Sequence, residues 1–308
     1  MESGHSDAAS NARTITVGGG KGGIGKSTVA AGIACQLAIL KKRVILIDAD
    51  LAGANLHLSM GVRYPEKGLN DFISGSASDI REILIGTPFP GVRLISGAGS
   101  IHEMTNPRFF QKQKLLSAFQ GLPADYVVID VGAGADEDNT DFFSLSNHGI
   151  VIITNEPSSV ENAYSFLKNS IIRKFLRLFA LNEKVRDAII TCANPKKGGV
   201  RKIEEIIAKV AEFDPEAGKT LRETHASFRP CLIVNMVRSK FDVQVEANFR
   251  TIVKNFLGLR MTYIGYIVYD ETVPASIKRI TPLSAFPDAS SVRCLNAITR
   301  NLLALGLT

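Results

Sequence analysis

The chain has little of what metal and redox proteins are built from. Its four cysteines, Cys35, Cys192, Cys231 and Cys294, are far apart and form no C-x-x-C pair, so neither a zinc site nor an iron–sulfur site follows from their spacing. The five histidines are scattered without metal-ligand spacing and read as surface or packing residues. No apolar run approaches the roughly eighteen residues that suggest a membrane span. Met1–Asp7 lacks the basic and apolar regions of a signal peptide, so a cytoplasmic protein is expected. There is no internal repeat and no low-complexity tract.

What is present is a globular composition, 45% apolar and 21% charged over 308 residues. That length suits one large α/β domain or two ordinary ones. Residues Gly18–Thr28 read GGGKGGIGKST. The phosphate-loop pattern G-x-x-x-x-G-K-[ST] runs through Gly20, Lys21, Gly22, Gly23, Ile24, Gly25, Lys26 and Ser27, after an apolar run at Thr14–Val17 and before a helical pattern from Thr28. A strand, a glycine loop and a helix form the context the motif needs. Glycines let the backbone aim several N–H groups at phosphate oxygens, and the helix start adds its positive dipole end. Lys26 is then placed for the outer phosphates and the Ser27 hydroxyl for Mg²⁺. A bland glycine turn would not require all eight positions.

Two more apolar runs end in acids. Val44–Ile47 leads into Asp48-Ala49-Asp50, with Asn55 beyond, and Tyr126–Ile129 leads into Asp130, followed by Gly132 and Gly134. Buried parallel strands deliver carboxylates at their C-terminal ends in this way. Further strands are expected at Ile150–Ile153, Leu232–Val237 and Tyr263–Ile267, and helices near 27–40, 108–120, 159–180, 240–257 and 289–305. The 159–180 helix should follow a loop and a side-chain cap. The alternation predicts a doubly wound, mostly parallel sheet with helices on both faces and right-handed crossovers.

With Lys21 added to the phosphate loop, the pattern resembles the deviant-Walker P-loop ATPases of the MinD/ParA family, most of all the FlhG and MinD branch. The resemblance covers nearly the whole chain. It implies that Lys21 reaches the nucleotide of a second subunit, that Asp48 lies near the metal, that Asp50 orients the attacking water, and that Asp130 is the Walker B acid of the magnesium shell. It implies that the Gly134 N–H meets the γ-phosphate and that Asn235, at a strand end, reads the adenine edge. ATP and Mg²⁺ are the cofactors, with Gly20–Thr28 around the phosphates. The cysteine pattern argues against an iron–sulfur carrier or a nitrogenase-like reductase.

Departures from the family pattern bear on the specific task. About fifty residues, roughly 180–229, look inserted into a single ATPase domain at 13–308, with 1–12 as a flexible start. Val200–Val210 and Pro215–His225 read as its helices. Between Leu167 and Arg229 there are fourteen Lys and Arg against eight Asp and Glu, a local excess of six that equals the net charge of the chain. Such a face suits non-specific DNA or an anionic membrane, and a merely solvated helical lobe explains it equally. The helix around Tyr164–Phe179 is basic and amphipathic, with packing against the sheet as its better reading. Val292, Leu295, Ile298, Leu302 and Leu305 suit a final core helix rather than the membrane tail that MinD carries. Met1–Asn11 has nothing like the glutamine-containing activation motif of FlhG, which argues against a flagellar role.

The expectation is a slow, partner-stimulated, Mg²⁺-dependent ATP hydrolase, dimeric with ATP and monomeric with ADP or empty, which positions a cellular structure through a cargo or activator protein. It would be cytoplasmic or peripheral to a membrane or nucleoid. The competing readings are a small-molecule ligase, kinase or metal-handling enzyme on the same fold, and an ATP-holding module with little turnover.

Overall fold

The computed structural model describes residues 12–51, 53–97, 109–194, 200 and 202–306. Of the expected flexible start at 1–12, residues 1–11 lie outside the described residues, as do 195–199 and 201 of the expected insertion. The chain falls into two compact units: Met1–Ile15, Ser27–Gly132 and Asp270–Thr308 form the first, and Thr16–Lys26 with Ala133–Tyr269 form the second.

The first unit holds strands β2 (Val44–Asp48), β3 (Ile85–Gly86), β4 (Val92–Ile95) and β5 (Tyr126–Asp130), and the start of β1 (Arg13–Gly18). Its order is β3-β4-β2-β5-β1. β2 pairs in parallel with both β4 and β5, and β3 pairs antiparallel with β4. Every residue of β2 and β5 is buried, as expected of apolar parallel strands covered on both faces. Helices α1 (Lys26–Ile39), α2 (Leu56–Ser59), α3 (Leu69–Ser74), α4 (Phe109–Gln120), α11 (Thr272–Lys278) and α12 (Ser290–Ala304) belong here, apart from Lys26 itself. α1 is buried almost all round, and its small residues let α12 come close. A Cβ on Gly32 would stand 2.5 Å from Leu295. Val292, Leu295, Ile298 and Leu302 are buried as expected of a final core helix, whereas Leu305 lies past the helix end and is 52% exposed.

The second unit holds the end of β1 with β6 (Ile150–Ile153), β7 (Cys231–Val237) and β8 (Thr262–Val268), in the order β1-β6-β7-β8 with all these pairings parallel. The eight strands therefore make a mostly parallel, doubly wound α/β sheet. Its helices are α5 (Glu137–Phe143), α6 (Pro157–Leu178), α7 (Glu183–Ala193), α8 (Ile203–Phe213), α9 (Pro215–Ser227) and α10 (Val245–Leu257). Of these, α7 to α9 fall in the stretch expected to be helical at 180–229. α8 buries Ile203, Ile206, Ile207 and Val210 on one stripe, and α9 packs closely on it, with Gly218 facing Ala211.

The basic face of α6 is partly turned inward. Arg173 pairs with the buried Asp141 at 2.7 Å and with Glu137 at 2.9 Å. Lys174 donates to Ser144 O at 3.0 Å and to Asn147 at 2.7 Å, and Arg177 to Ser144 Oγ at 3.1 Å. Burial, with Arg177 nearby, lowers the Lys174 ammonium to about 8. Packing is therefore the role of this helix, and three of the cations in the basic stretch are engaged within the fold. The expected side-chain cap of α6 is absent. The helix starts at Pro157, after Glu156, because proline fixes the first helical φ without needing its N–H bonded. Ser159 instead accepts the Thr154 N–H at 3.0 Å.

Phe166 of α6 centres this unit. It meets Phe143 edge-on at 4.8 Å between ring centroids, and its ring lies 2.7 Å from where a Cβ of Gly18 would stand. We expect Phe166→Ala to cost about 3–5 kcal/mol through the cavity it leaves. Urea unfolding would read this as a lower midpoint with an unchanged slope.

Candidate functional site

The phosphate loop joins β1 to the start of α1 at Lys26. Gly25 has φ +87°, a left-handed conformation, and a Cβ there would stand 2.4 Å from the Asn235 side-chain nitrogen. Only glycine suits both demands. At Gly20 the obstacle is backbone: a Cβ would come within 2.1 Å of the Asn162 carbonyl oxygen. Gly22 and Gly23 are exposed, and Ile24 is buried beneath the loop.

Lys26 is 7% exposed and its Nζ donates to Lys21 O at 3.1 Å. Asn235, at the end of β7, donates its side-chain amide to Ile24 O at 2.7 Å. The residue expected to read adenine thus also braces the loop, and Met236 beside it turns left-handed at φ +58°. Lys21 forms an ion pair with Glu156 and donates to Ser158 Oγ at 2.9 Å. Both partners lie in the loop and first turn that lead into α6 of the same chain. Sequence reasoning missed them, although an acid and a hydroxyl flanking Pro157 were the available signal.

Asp48 and Asp130 end neighbouring strands and stand opposite each other in register. Both are buried, at 0% and 1% exposure. Asp48 accepts the Asp50 N–H at 3.2 Å and the Leu56 N–H at 3.0 Å. Burial pushes its carboxyl up to about 7; the two N–H bonds oppose this, and the Asp50 charge adds a smaller rise. Asp50 accepts the Gly53 N–H at 2.9 Å, so it folds its own turn in addition to any role toward water. Asn55 donates to Gly53 O at 2.8 Å in the same turn. Ser27 and Thr28 open α1 in this unit, both partly exposed.

The hydroxyl of Ser27 and the carboxylates of Asp48 and Asp130 are hard oxygen donors, suited to Mg²⁺. A divalent cation would also relieve the carboxylate that burial has driven upward. In the second unit, Gly134 has φ +105° and leads into α5, whose N-terminus is capped by Asp136 through the Asp138 and Asn139 N–H groups at 3.1 and 3.0 Å.

Residues 15–283 match the family model described as the CobQ/CobB/MinD/ParA nucleotide binding domain. The antiactivator FleN of Pseudomonas aeruginosa is 26% identical over 94% of this chain and 86% of its own length. The flagellum site-determining protein YlxH of Helicobacter pylori is 29% identical over 67% of this chain and 66% of its own length. Among solved structures, the septum site-determining protein MinD complexed with Mg-ADP from Pyrococcus horikoshii shares the fold, with a TM-score of 0.64 at 18% identity over 96% of this chain and 97% of its own. No helix among the described residues is long and apolar enough to cross a membrane.

The raised Asp48 carboxyl has a pH signature. From about pH 4 to about pH 7 the unfolded chain has released this proton and the folded chain retains it. Stability of the ligand-free protein should therefore fall as pH rises through that window, by up to about 1.4 kcal/mol per pH unit, and level off above it. Urea midpoints compared between wild type and Asp48→Asn would show this component only in the wild type.

Proposed function

The chain belongs to the CobQ/CobB/MinD/ParA nucleotide-binding family, and on that premise we propose that it is a Mg²⁺-dependent ATPase working as a nucleotide-switched dimer. Relatives of this family include proteins named for flagellar and septum siting, and we extend to this chain a task of that kind, the positioning of a cellular structure through a partner protein. The observation that carries the reading is Lys21. It is a second loop cation beside Lys26, held among the described residues by an exposed pair with Glu156 and a bond to Ser158. Exposed ion pairs contribute roughly 0–1 kcal/mol, so such a hold is easily given up.

In this reading the amides of Gly20–Gly25 and the Lys26 ammonium take the phosphates, and Ser27, Asp48 and Asp130 take the metal. Bound Mg²⁺ would neutralise charge developing on the transferred phosphoryl group. Lys21 swings away from Glu156 toward the nucleotide of the partner subunit, adding a cation where charge develops. Asp50 orients the attacking water, and Asn235 faces the adenine edge. The amide of Gly134, which without a Cβ holds φ +105°, senses the γ-phosphate. After hydrolysis those contacts are lost and the dimer separates.

Light scattering with ADP, with ATP and with no nucleotide tests the proposal. ATP should double the mass of Asp50→Ala, which keeps its nucleotide, but not of Lys21→Ala. Loss of Lys21 should also slow turnover by about a hundredfold or more, the usual effect of removing one transition-state donor. A mass that ignores nucleotide in every variant would sink the switch and favour a ligase or kinase on the same fold.

A further inference from the structure

The loop that follows β7 is gathered by one carboxylate. Asp242 Oδ2 accepts the Arg238 N–H at 2.8 Å and the Ser239 N–H at 2.9 Å, and Oδ1 accepts an Asn155 side-chain N–H at 3.0 Å. The two backbone bonds fold the turn and are a common use of aspartate. The bond to Asn155 does nothing for that turn. It reaches a residue 87 positions away in sequence, in the loop after β6.

That residue stands next to Glu156 and three before Ser158, the two side chains that hold Lys21. The loop gathered by Asp242 begins where Asn235 donates to Ile24 O of the phosphate loop, and its Arg238 guanidinium lies 3.7 Å from the centroid of the Tyr269 ring. Side chains thus lace three loops together: 20–25, 154–159 and 235–242. All three are in the second unit.

From this geometry we infer that Asp242 is a positioning residue for Lys21. Through Asn155 it fixes where Glu156 and Ser158 stand, and so how firmly Lys21 is kept within its own subunit. A ligand that rearranges the loop at 235–242 then loosens Lys21 without touching it. The link is a single exposed hydrogen bond, weak enough to be broken by ligand binding. The inference rests on Lys21 being the residue that must leave its own chain in the dimer, and its test is independent of dimer formation.

The test is the acylation rate of the Lys21 ε-amine by acetic anhydride in the nucleotide-free full chain, read by mass spectrometry and normalised to the exposed Lys254. Asn155→Ala and Asp242→Ala should each speed labelling of Lys21 by about two- to tenfold, the range one net hydrogen bond supports. The double variant should be no faster than the faster single, because both remove the same link. Asp242→Asn still folds the turn and can pair with the Asn155 amide, so it should stay within about twofold of wild type. If Asp242 serves only its own turn, Asn155→Ala leaves Lys21 unchanged, and that result overturns the inference, as do single effects that multiply in the double variant. A chain that shows this labelling pattern but no ATP-dependent mass change would retain the link and lose the dimer switch.

Discussion

A phosphate-binding loop must turn its N–H groups outward, and so must be almost free of side chains that could anchor it. Everything around it is arranged to supply the anchoring it lacks. The backbone at Asn162 abuts Gly20, the Asn235 amide grips Ile24 O, and Ile24 is the one large side chain pinned beneath. These contacts come from α6 and β7, more than a hundred residues away in sequence. The loop's shape is thus a tertiary property, and its glycines record where neighbouring atoms leave no room for a Cβ.

Charge follows a similar rule. Asp48, at a strand end, and Asp50, in the turn after it, are met there by backbone N–H groups. For Asp48 this support falls short of the cost of burial, which leaves a group that gains from a cation. The cations are held in the opposite manner. Lys26 and Lys21 are folded onto oxygens of their own chain, positions compatible with release toward a more negative ligand.

Much of this was legible in the sequence because the strongest signals are local. β2 and β5 are apolar up to their terminal aspartates and β6 is apolar throughout, and the phosphate loop is defined by spacing alone. α12 was legible from its stripe of Val292, Leu295, Ile298 and Leu302. The structure added what periodicity cannot carry. β3 is only two residues long and β4 is interrupted by Arg93, so neither makes an apolar run, and both are defined by their pairing. The start of α6 was misplaced because Pro157, rather than a side-chain cap, sets it. The partners of Lys21 were hidden because ion pairs between residues 135 positions apart leave no periodic trace.

The inward pairing of α6 changes what the local charge excess between Leu167 and Arg229 means. The local excess of six counts Arg173 but not its partner Asp141, which lies outside that stretch, and the guanidinium is 19% exposed against a carboxylate that is 1% exposed. Such a pair presents to solvent something closer to a dipole than a monopole, and its field fades quickly with distance. Long-range attraction to a polyanion would therefore come from fewer charges than the tally suggests. The same pair is sheltered from counterions, so it keeps α5 and α6 joined under salt that would mask the outer lysines. In this stretch basicity serves cohesion first, and only the remainder is available as an external field.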